Sequence, residues 1–145
     1  MGIKVFLIKF FYLNILMIVI TFGTFDLFHI GHINILERAK KKGDKLIVGV
    51  STDKLNFSKK QKYPIYSQNE RKKIIDSLKF VDDVFFEESL EKKREYILKY
   101  KADILVMGND WEGRFDEFND ICEVIYLERT PSISTTLLVE VIKNI

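Results

Sequence analysis

Residues 17–40, MIVITFGTFDLFHIGHINILERAK, decide how the chain folds. The run MIVITF is short, apolar and β-branched, so it reads as a buried strand. From Ile33 the period changes. Ile33, Leu36 and Ala39 share one face of a helix, lysines fill its last turn and Gly43 stops it. Between strand and helix stands GTFDLFHIGH, residues 23–32, which contains both histidines of the chain, three positions apart around Gly31.

Working outward, the same alternation recurs. KLIVGVST is a second strand, and DKLNFSKKQKYPIY after it reads as a polar loop around Pro64. SQNERKKIIDSLKF opens with Ser67 and Glu70 at capping-box spacing and carries Ile74, Ile75 and Leu78 on one face. DDVFF is a third strand, and SLEKKREYILKYK a third helix with Leu90, Ile97 and Leu98 inward. DILVMG is a fourth strand ending at Gly108, and CEVIYL a fifth. STTLLVEVIKNI is a final helix with Leu138, Val141, Ile142 and Ile145 at helical spacing. There is no repeat, low-complexity tract or linker. Strands separated by helices pair in parallel through right-handed crossovers. The expectation is a single-domain α/β protein: a doubly wound, Rossmann-like parallel sheet of five strands with flanking helices. In such sheets ligands bind beyond the carboxyl ends of the strands. GTFDLFHIGH, STD, GNDW and RTPSISTT should therefore gather at one edge.

Composition agrees with one folded domain. The chain has 145 residues, 47% hydrophobic and 30% charged, enough to bury a core. Its 23 basic residues against 21 acidic ones leave a formal charge of +2, which does not argue for nucleic-acid binding. The basic run with Lys54, Lys59, Lys60, Lys62, Arg71, Lys72 and Lys73 reads mostly as a solvated face. A single cysteine, Cys122, permits no internal disulfide and points to a reducing cytosol. Within CEVIYL it reads as a core residue rather than a nucleophile. Residues 1–16 form an apolar extension, interrupted by Lys4, Lys9 and Asn14, before a domain spanning 17–145. Its uncharged stretch is shorter than the roughly 20 residues of a membrane span, and no small-residue cleavage site follows it. Membrane contact by this extension is the minority reading, and Met17 is a candidate start.

His29 and His32 have three explanations. A zinc site needs three or four ligands, and the chain has no further histidine and one cysteine, so no protein metal centre is expected. Two packed structural histidines are a second explanation. A phosphate site accounts for more of the pattern. Gly31 admits close approach to the backbone, and a helix N-terminus offers free N–H groups and a positive dipole end. Two imidazoles there can donate to oxygens whose charge grows during phosphoryl or nucleotidyl transfer. RTPSISTT, residues 129–136, adds a second such site. Arg129 is a forked cation, and Ser134, Thr135 and Thr136 open the last helix. A triphosphate held between two helix N-termini is the favoured reading. No Walker lysine motif and no GxGxxG is present.

At this point the sequence resembles a known family. GTFDLFHIGH carries the HxGH signature of the nucleotidyltransferase superfamily, and RTPSISTT is similar to its RTxGISTT signature. Together with STD and MGNDWEG they resemble the cytidylyltransferases, most closely the bacterial glycerol-3-phosphate branch, from about Met17 to Ile145. The resemblance implies transfer of a cytidylyl group from CTP, with Mg²⁺, to glycerol 3-phosphate, giving CDP-glycerol and pyrophosphate for teichoic-acid or capsule synthesis. The substrate phosphate would attack the α-phosphorus in line, without a covalent enzyme intermediate. Other phosphorylated alcohols, such as phosphocholine or phosphoethanolamine, are the nearest alternative acceptors. An adenylyltransferase such as an FAD synthetase comes next, and a nucleotide-binding module without catalysis is the rival of a different class.

The resemblance also implies roles. His29 and His32, with Arg129 and Lys79, would serve catalysis. Thr24, Phe25, Lys62, Asp110, Thr130, Ile133, Ser134, Thr135 and Thr136 would bind the nucleotide, with Trp111 beside Asp110. Lys60, or Lys59 in its place, and Lys93 would contact the acceptor. A cytoplasmic homodimer is implied as well. The sequence departs from the pattern at Lys79, where an arginine is usual, and at Ser132, which replaces the glycine of RTxGISTT. Asn109 also replaces an aspartate, and Leu90 a tryptophan.

Overall fold

A computed structural model describes residues 16–145. The greater part of the apolar extension, residues 1–15, lies outside the described residues. Five strands form one all-parallel sheet in the order β3-β2-β1-β4-β5. They are β1 (Ile18–Gly23), β2 (Lys45–Ser51), β3 (Asp83–Glu87), β4 (Ile104–Gly108) and β5 (Glu123–Leu127). The helices are α1 (Ile30–Lys40), α2 (Asp53–Lys60), α3 (Gln68–Asp76), α4 (Lys93–Lys99) and α5 (Thr135–Lys143). Two 3₁₀ turns, Asn109–Trp111 and Asp116–Asp120, follow β4.

The central strands are continuous apolar runs because both faces of a parallel sheet are covered. Val19, Leu46, Val48 and Val106 pack on one face with Leu36 and Ala39 of α1 and Ile75 of α3. Ile20, Phe22, Ile47 and Leu105 pack on the other with Ile97 of α4 and Phe118. The chain runs outward from β1 through β2 to β3, then returns to β4 on the other side of β1. The carboxyl ends of β1 and β4 therefore flank the switch point, where such sheets bind ligands.

Four local expectations change. Residues 53–60 are helix, not loop: the Thr52 hydroxyl accepts from the Leu55 N–H at 3.1 Å, and Leu55 and Asn56 are buried. In α4 the inner face is Lys93 and Ile97. Leu98 is 56% exposed, and Leu90, which precedes the helix, is 38% exposed. No residue of α5 is buried, despite its apolar spacing. Cys122 is half-buried at the edge of the second core, its Sγ directed to the Phe118 carbonyl.

Candidate active site

The helix α1 begins three residues earlier than its apolar period suggests, and this places the histidines. His29 is the N-cap and His32 the third helical residue. The Gly31 N–H donates to His29 Nδ1 at 3.0 Å, and the His29 N–H donates to His32 Nδ1 at 3.2 Å. The two imidazoles form a capping box, in the place a serine and a glutamate usually take. Their rings stack at 3.7 Å between centroids. A side chain on Gly31 would meet the His29 ring at 2.8 Å, so the stack requires glycine there.

Hydrogen bonding fixes the tautomer. A neutral imidazole accepting at Nδ1 carries its proton on Nε2. Both histidines therefore hold an Nε2–H free to donate. Their charge state follows from their surroundings. Burial, then the neighbouring His29, then the Arg129 charge push His32 down to about 4, with Asp26 opposing them. Burial and Arg129 lower His29 in the same direction. Both rings are neutral donors near pH 7.

The second strand-to-helix loop arrives from β5. The Ser134 hydroxyl caps α5, accepting from the Leu137 N–H at 3.1 Å. Thr135 Oγ1 donates to the Asp26 carbonyl at 3.0 Å, which ties this helix end to the histidine loop. Thr130 Oγ1 accepts from Asn34 of α1 at 3.0 Å, and Arg38 of α1 donates to the Glu128 carbonyl at 2.7 Å. The Ile133 methyl packs against Gly31. Thr136 is exposed. Arg129 is exposed, with its guanidinium 3.6 Å from the Asp110 carboxylate on the 3₁₀ turn after β4. Ser132 has φ 62, so the left-handed turn that a glycine makes easily is kept by a serine.

Thr24 and Phe25 lie where expected but face inward. Thr24 Oγ1 donates to Asn56 at 2.8 Å. Phe25 is 7% exposed, and its ring meets His32 edge-on at 5.5 Å. Lys60 and Lys62 are exposed at the end of α2 and just beyond it. Lys59 is exposed as well, and desolvation lowers its ammonium below the usual range against the opposing Glu87 charge. Lys93 is at the correct edge but 2% exposed. Its ammonium is bonded to the buried Glu87 and sits 3.6 Å over the Phe22 ring. It is sealed in an ion pair rather than presented to solvent, because it occupies the inner face of α4.

Lys79 is not brought to this site. It lies on the turn between α3 and β3, at the amino edge of the sheet, opposite the histidines. Two residues that the sequence reading left aside are central instead. Arg71, hidden within a basic run, is fully buried and donates to the carbonyls of Thr24, Ser51 and Tyr66 and to the Asp53 carboxylate. Asp26 joins three loops. Its only sequence signal was its place inside the histidine loop.

The family model described as cytidylyltransferase-like matches residues 20–141. The chain is 50% identical over 127 residues to the glycerol-3-phosphate cytidylyltransferase of Bacillus subtilis (strain 168), covering 88% of this chain and 98% of that protein. It is 49% identical over 118 residues to the glycerol-3-phosphate cytidylyltransferase of Staphylococcus aureus (strain NCTC 8325 / PS 47), covering 81% and 89%. Its fold is similar to the crystal structure of the lipopolysaccharide core biosynthesis protein from Thermoplasma volcanium GSS1, with a TM-score of 0.69 and 26% identity over 79% of this chain and 98% of that one. With a matched region spanning most of the sheet and both helix N-termini, the chain belongs to the cytidylyltransferase-like family.

Proposed function

We propose that this chain transfers the cytidylyl group of CTP to glycerol 3-phosphate, forming CDP-glycerol and pyrophosphate for teichoic-acid or capsule synthesis. The observation that carries this reading is the near-complete overlap with relatives of that name at about half identity. The site supplies the chemistry. A phosphate oxygen of the acceptor attacks the α-phosphorus, forming the new O–P bond while the bond to the pyrophosphate oxygen breaks. Negative charge builds on the α-phosphate oxygens, and the Nε2–H groups of His29 and His32 are placed to donate to them. Being neutral already, these donors need no proton transfer of their own.

The remaining assignments are part of the same reading. Arg129, Thr130, Ile133, Ser134, Thr135 and Thr136 hold the nucleotide and its β,γ-phosphates, and Arg129 exchanges the Asp110 carboxylate for phosphate. Thr24 and Phe25 shape the nucleotide pocket from beneath. Lys62 faces the nucleotide and Lys60 the acceptor phosphate. Lys93 contributes through Glu87, by its charge rather than by contact. Mg²⁺ would enter on the CTP triphosphate. It would be held mainly by the substrate phosphates, and Asp110, whose carboxylate lies 3.6 Å from Arg129, is a carboxylate that could help hold it. When bound it would offset charge on the β,γ-phosphates. We also propose a cytosolic homodimer with no nucleic-acid partner. Exposed Leu137, Val141 and Ile142 on α5 suit a contact between copies. No described helix is long and apolar enough to cross a membrane.

The test is pyrophosphate release with Mg²⁺, crossing CTP and ATP against glycerol 3-phosphate, phosphocholine, phosphoethanolamine and FMN. Release with CTP and glycerol 3-phosphate alone is expected. Release only with another acceptor, or only with ATP, would overturn the substrate assignment. No release with any pair from folded protein would overturn the enzymatic reading.

A further inference from the structure

The histidine loop contains a side chain that the proposed chemistry does not use. Asp26 is 9% exposed, yet its carboxylate hydrogen-bonds to neither histidine and to neither of the two helix N-termini that frame the site. Its Oδ2 accepts from the Ile65 N–H at 2.7 Å and its Oδ1 from the Tyr66 N–H at 2.9 Å. Its carbonyl accepts from the Thr135 hydroxyl. The residues on either side of it are bent to allow this. Phe25 has φ 54 and Leu27 has φ 45, left-handed conformations that such side chains hold only where surrounding contacts over-determine them.

Residues 61–66 join α2, which ends at Lys60, to the Ser67 cap of α3. They carry Lys62 and directly follow Lys60. Burial does little to hold them, since Tyr63 is 62% and Ile65 61% exposed. Among the described residues, the hydrogen bonds that tie residues 62–66 to the rest of the molecule come from Asp26 and Arg71. Asp26 takes the Tyr66 N–H. Arg71 Nε donates to the Tyr66 carbonyl at 3.1 Å, and Arg71 Nη1 donates to the Thr24 carbonyl at 2.8 Å. Tyr66 is thus gripped at both its backbone N–H and its carbonyl against residues 24–26. Charge-assisted bonds of this kind are about twice as strong as neutral ones.

We propose that Asp26 is a positioning residue that docks the lysine-bearing segment 61–66 onto the histidine loop, and so sets the distance between the acceptor and the α-phosphate. The inference rests on the assignment of Lys60 and Lys62 to the substrates' phosphates. The Asp26 side chain serves the lysine segment, on which Lys62 faces the nucleotide and beside which Lys60 faces the acceptor phosphate, while its carbonyl bond to Thr135 serves the second helix N-terminus and survives substitution of the side chain. The two contacts are therefore separable.

The test compares Asp26→Ala, Asp26→Asn and Ile65→Pro in the full chain. Ile65→Pro removes one donor and leaves Asp26 untouched. For Asp26→Ala, KM for glycerol 3-phosphate should rise about tenfold or more, the loss expected of one or two charge-assisted hydrogen bonds. The dissociation constant of CTP, measured without acceptor, should rise as well, by about threefold to tenfold, because Lys62 lies on the same segment. Asp26→Asn keeps one accepting oxygen and should restore part of the acceptor KM. Ile65→Pro should reproduce a smaller acceptor shift, and it decides the matter if Asp26→Ala does not fold. Amide hydrogen exchange should show protection at Ile65 and Tyr66 in the parent protein and its loss at both in Asp26→Ala. This readout needs no turnover, so it separates failure of the positioning role from failure of the substrate assignment. An unchanged KM for glycerol 3-phosphate together with an unchanged CTP dissociation constant, or unaltered amide protection, would each overturn the proposal.

Discussion

Helix α1 opens on His29 and buries Leu36 and Ala39 completely against the sheet, whereas helix α5 opens on Ser134 and buries none of its nine residues. Both point an N-terminus at the same switch point. The first is held along its length by core packing. The second is held at its start, by Thr135 on the Asp26 carbonyl and by Thr130 and Glu128 on Asn34 and Arg38 of α1. Regions with little buried apolar contact open at low free-energy cost. The difference teaches where the protein keeps rigidity. On the proposed chemistry, the donors that would meet developing charge stand on the packed helix, and the groups that would receive and release the nucleotide stand on the loosely packed one.

Breaking the rigid side should have the largest effect. His29→Ala and His32→Ala are each expected to lower kcat by about 10²–10³, the usual effect of removing a transition-state donor. Each also removes a capping bond at about 1 kcal/mol of stability. Steady-state kinetics beside thermal unfolding checks both, and near-normal turnover in either variant would remove that histidine from the chemistry. On the adaptable side, Arg129→Ala should weaken CTP binding by roughly 10–100-fold, the range for a hydrogen bond to a charged group. Its thermal midpoint should barely move, because Arg129 is exposed. A comparable fall in stability would show that α5 depends on the Asp110 pair.

Acidification should distinguish the two ends as well. The folded-state values of His29 and His32 lie below their ordinary values. The unfolded chain then binds more protons than the folded one between about pH 6.5 and 4, so stability falls as pH drops through that window and is fully present above it. Urea midpoints measured across this range should decline. His32→Gln, which cannot protonate, should flatten part of that decline, while Ser134→Ala should leave its slope alone and cost about 1 kcal/mol at every pH. The smallest expected effect is at Ser132. Replacing it with glycine relieves a left-handed turn worth about 1–2 kcal/mol but adds an unfolded-state entropy cost of about 0.5–1 kcal/mol. Ser132→Gly should therefore stabilise by less than about 1 kcal/mol, read as a slightly higher midpoint. A lower midpoint would show that the serine side chain makes a compensating contact.

The strands were legible because each is an apolar run bounded by polar residues, and the capping box of α3 was legible because Ser67 and Glu70 stand three apart. Helix α2 was not, because DKLNFSKK has few apolar residues. Its burial of Leu55 and Asn56 depends on where α2 lies against neighbouring segments. The site was half legible. The histidines and the RTPSISTT loop announce themselves by residue type and spacing. Arg71 looked like one more surface charge in a basic stretch, and only the convergence of three carbonyls and Asp53 makes it the buried hub of the loops. Lys79 and Lys93 look alike in sequence. One lies at the far edge of the sheet and the other under the Phe22 ring.

What the sequence by itself determined is the local chemistry: the order of strands and helices, the two helix starts, and the residue types placed there. Those signals act over a few residues, through backbone period, capping and glycine. What only the tertiary structure decided is which of many charged side chains face the site. It also decided that burial and the Arg129 charge keep both imidazoles neutral, and that Asp26 joins the lysine segment to the histidine loop. These depend on contacts between residues about 40 to more than 100 positions apart. Burial and long-range hydrogen bonds alone set such contacts, and no local pattern encodes them.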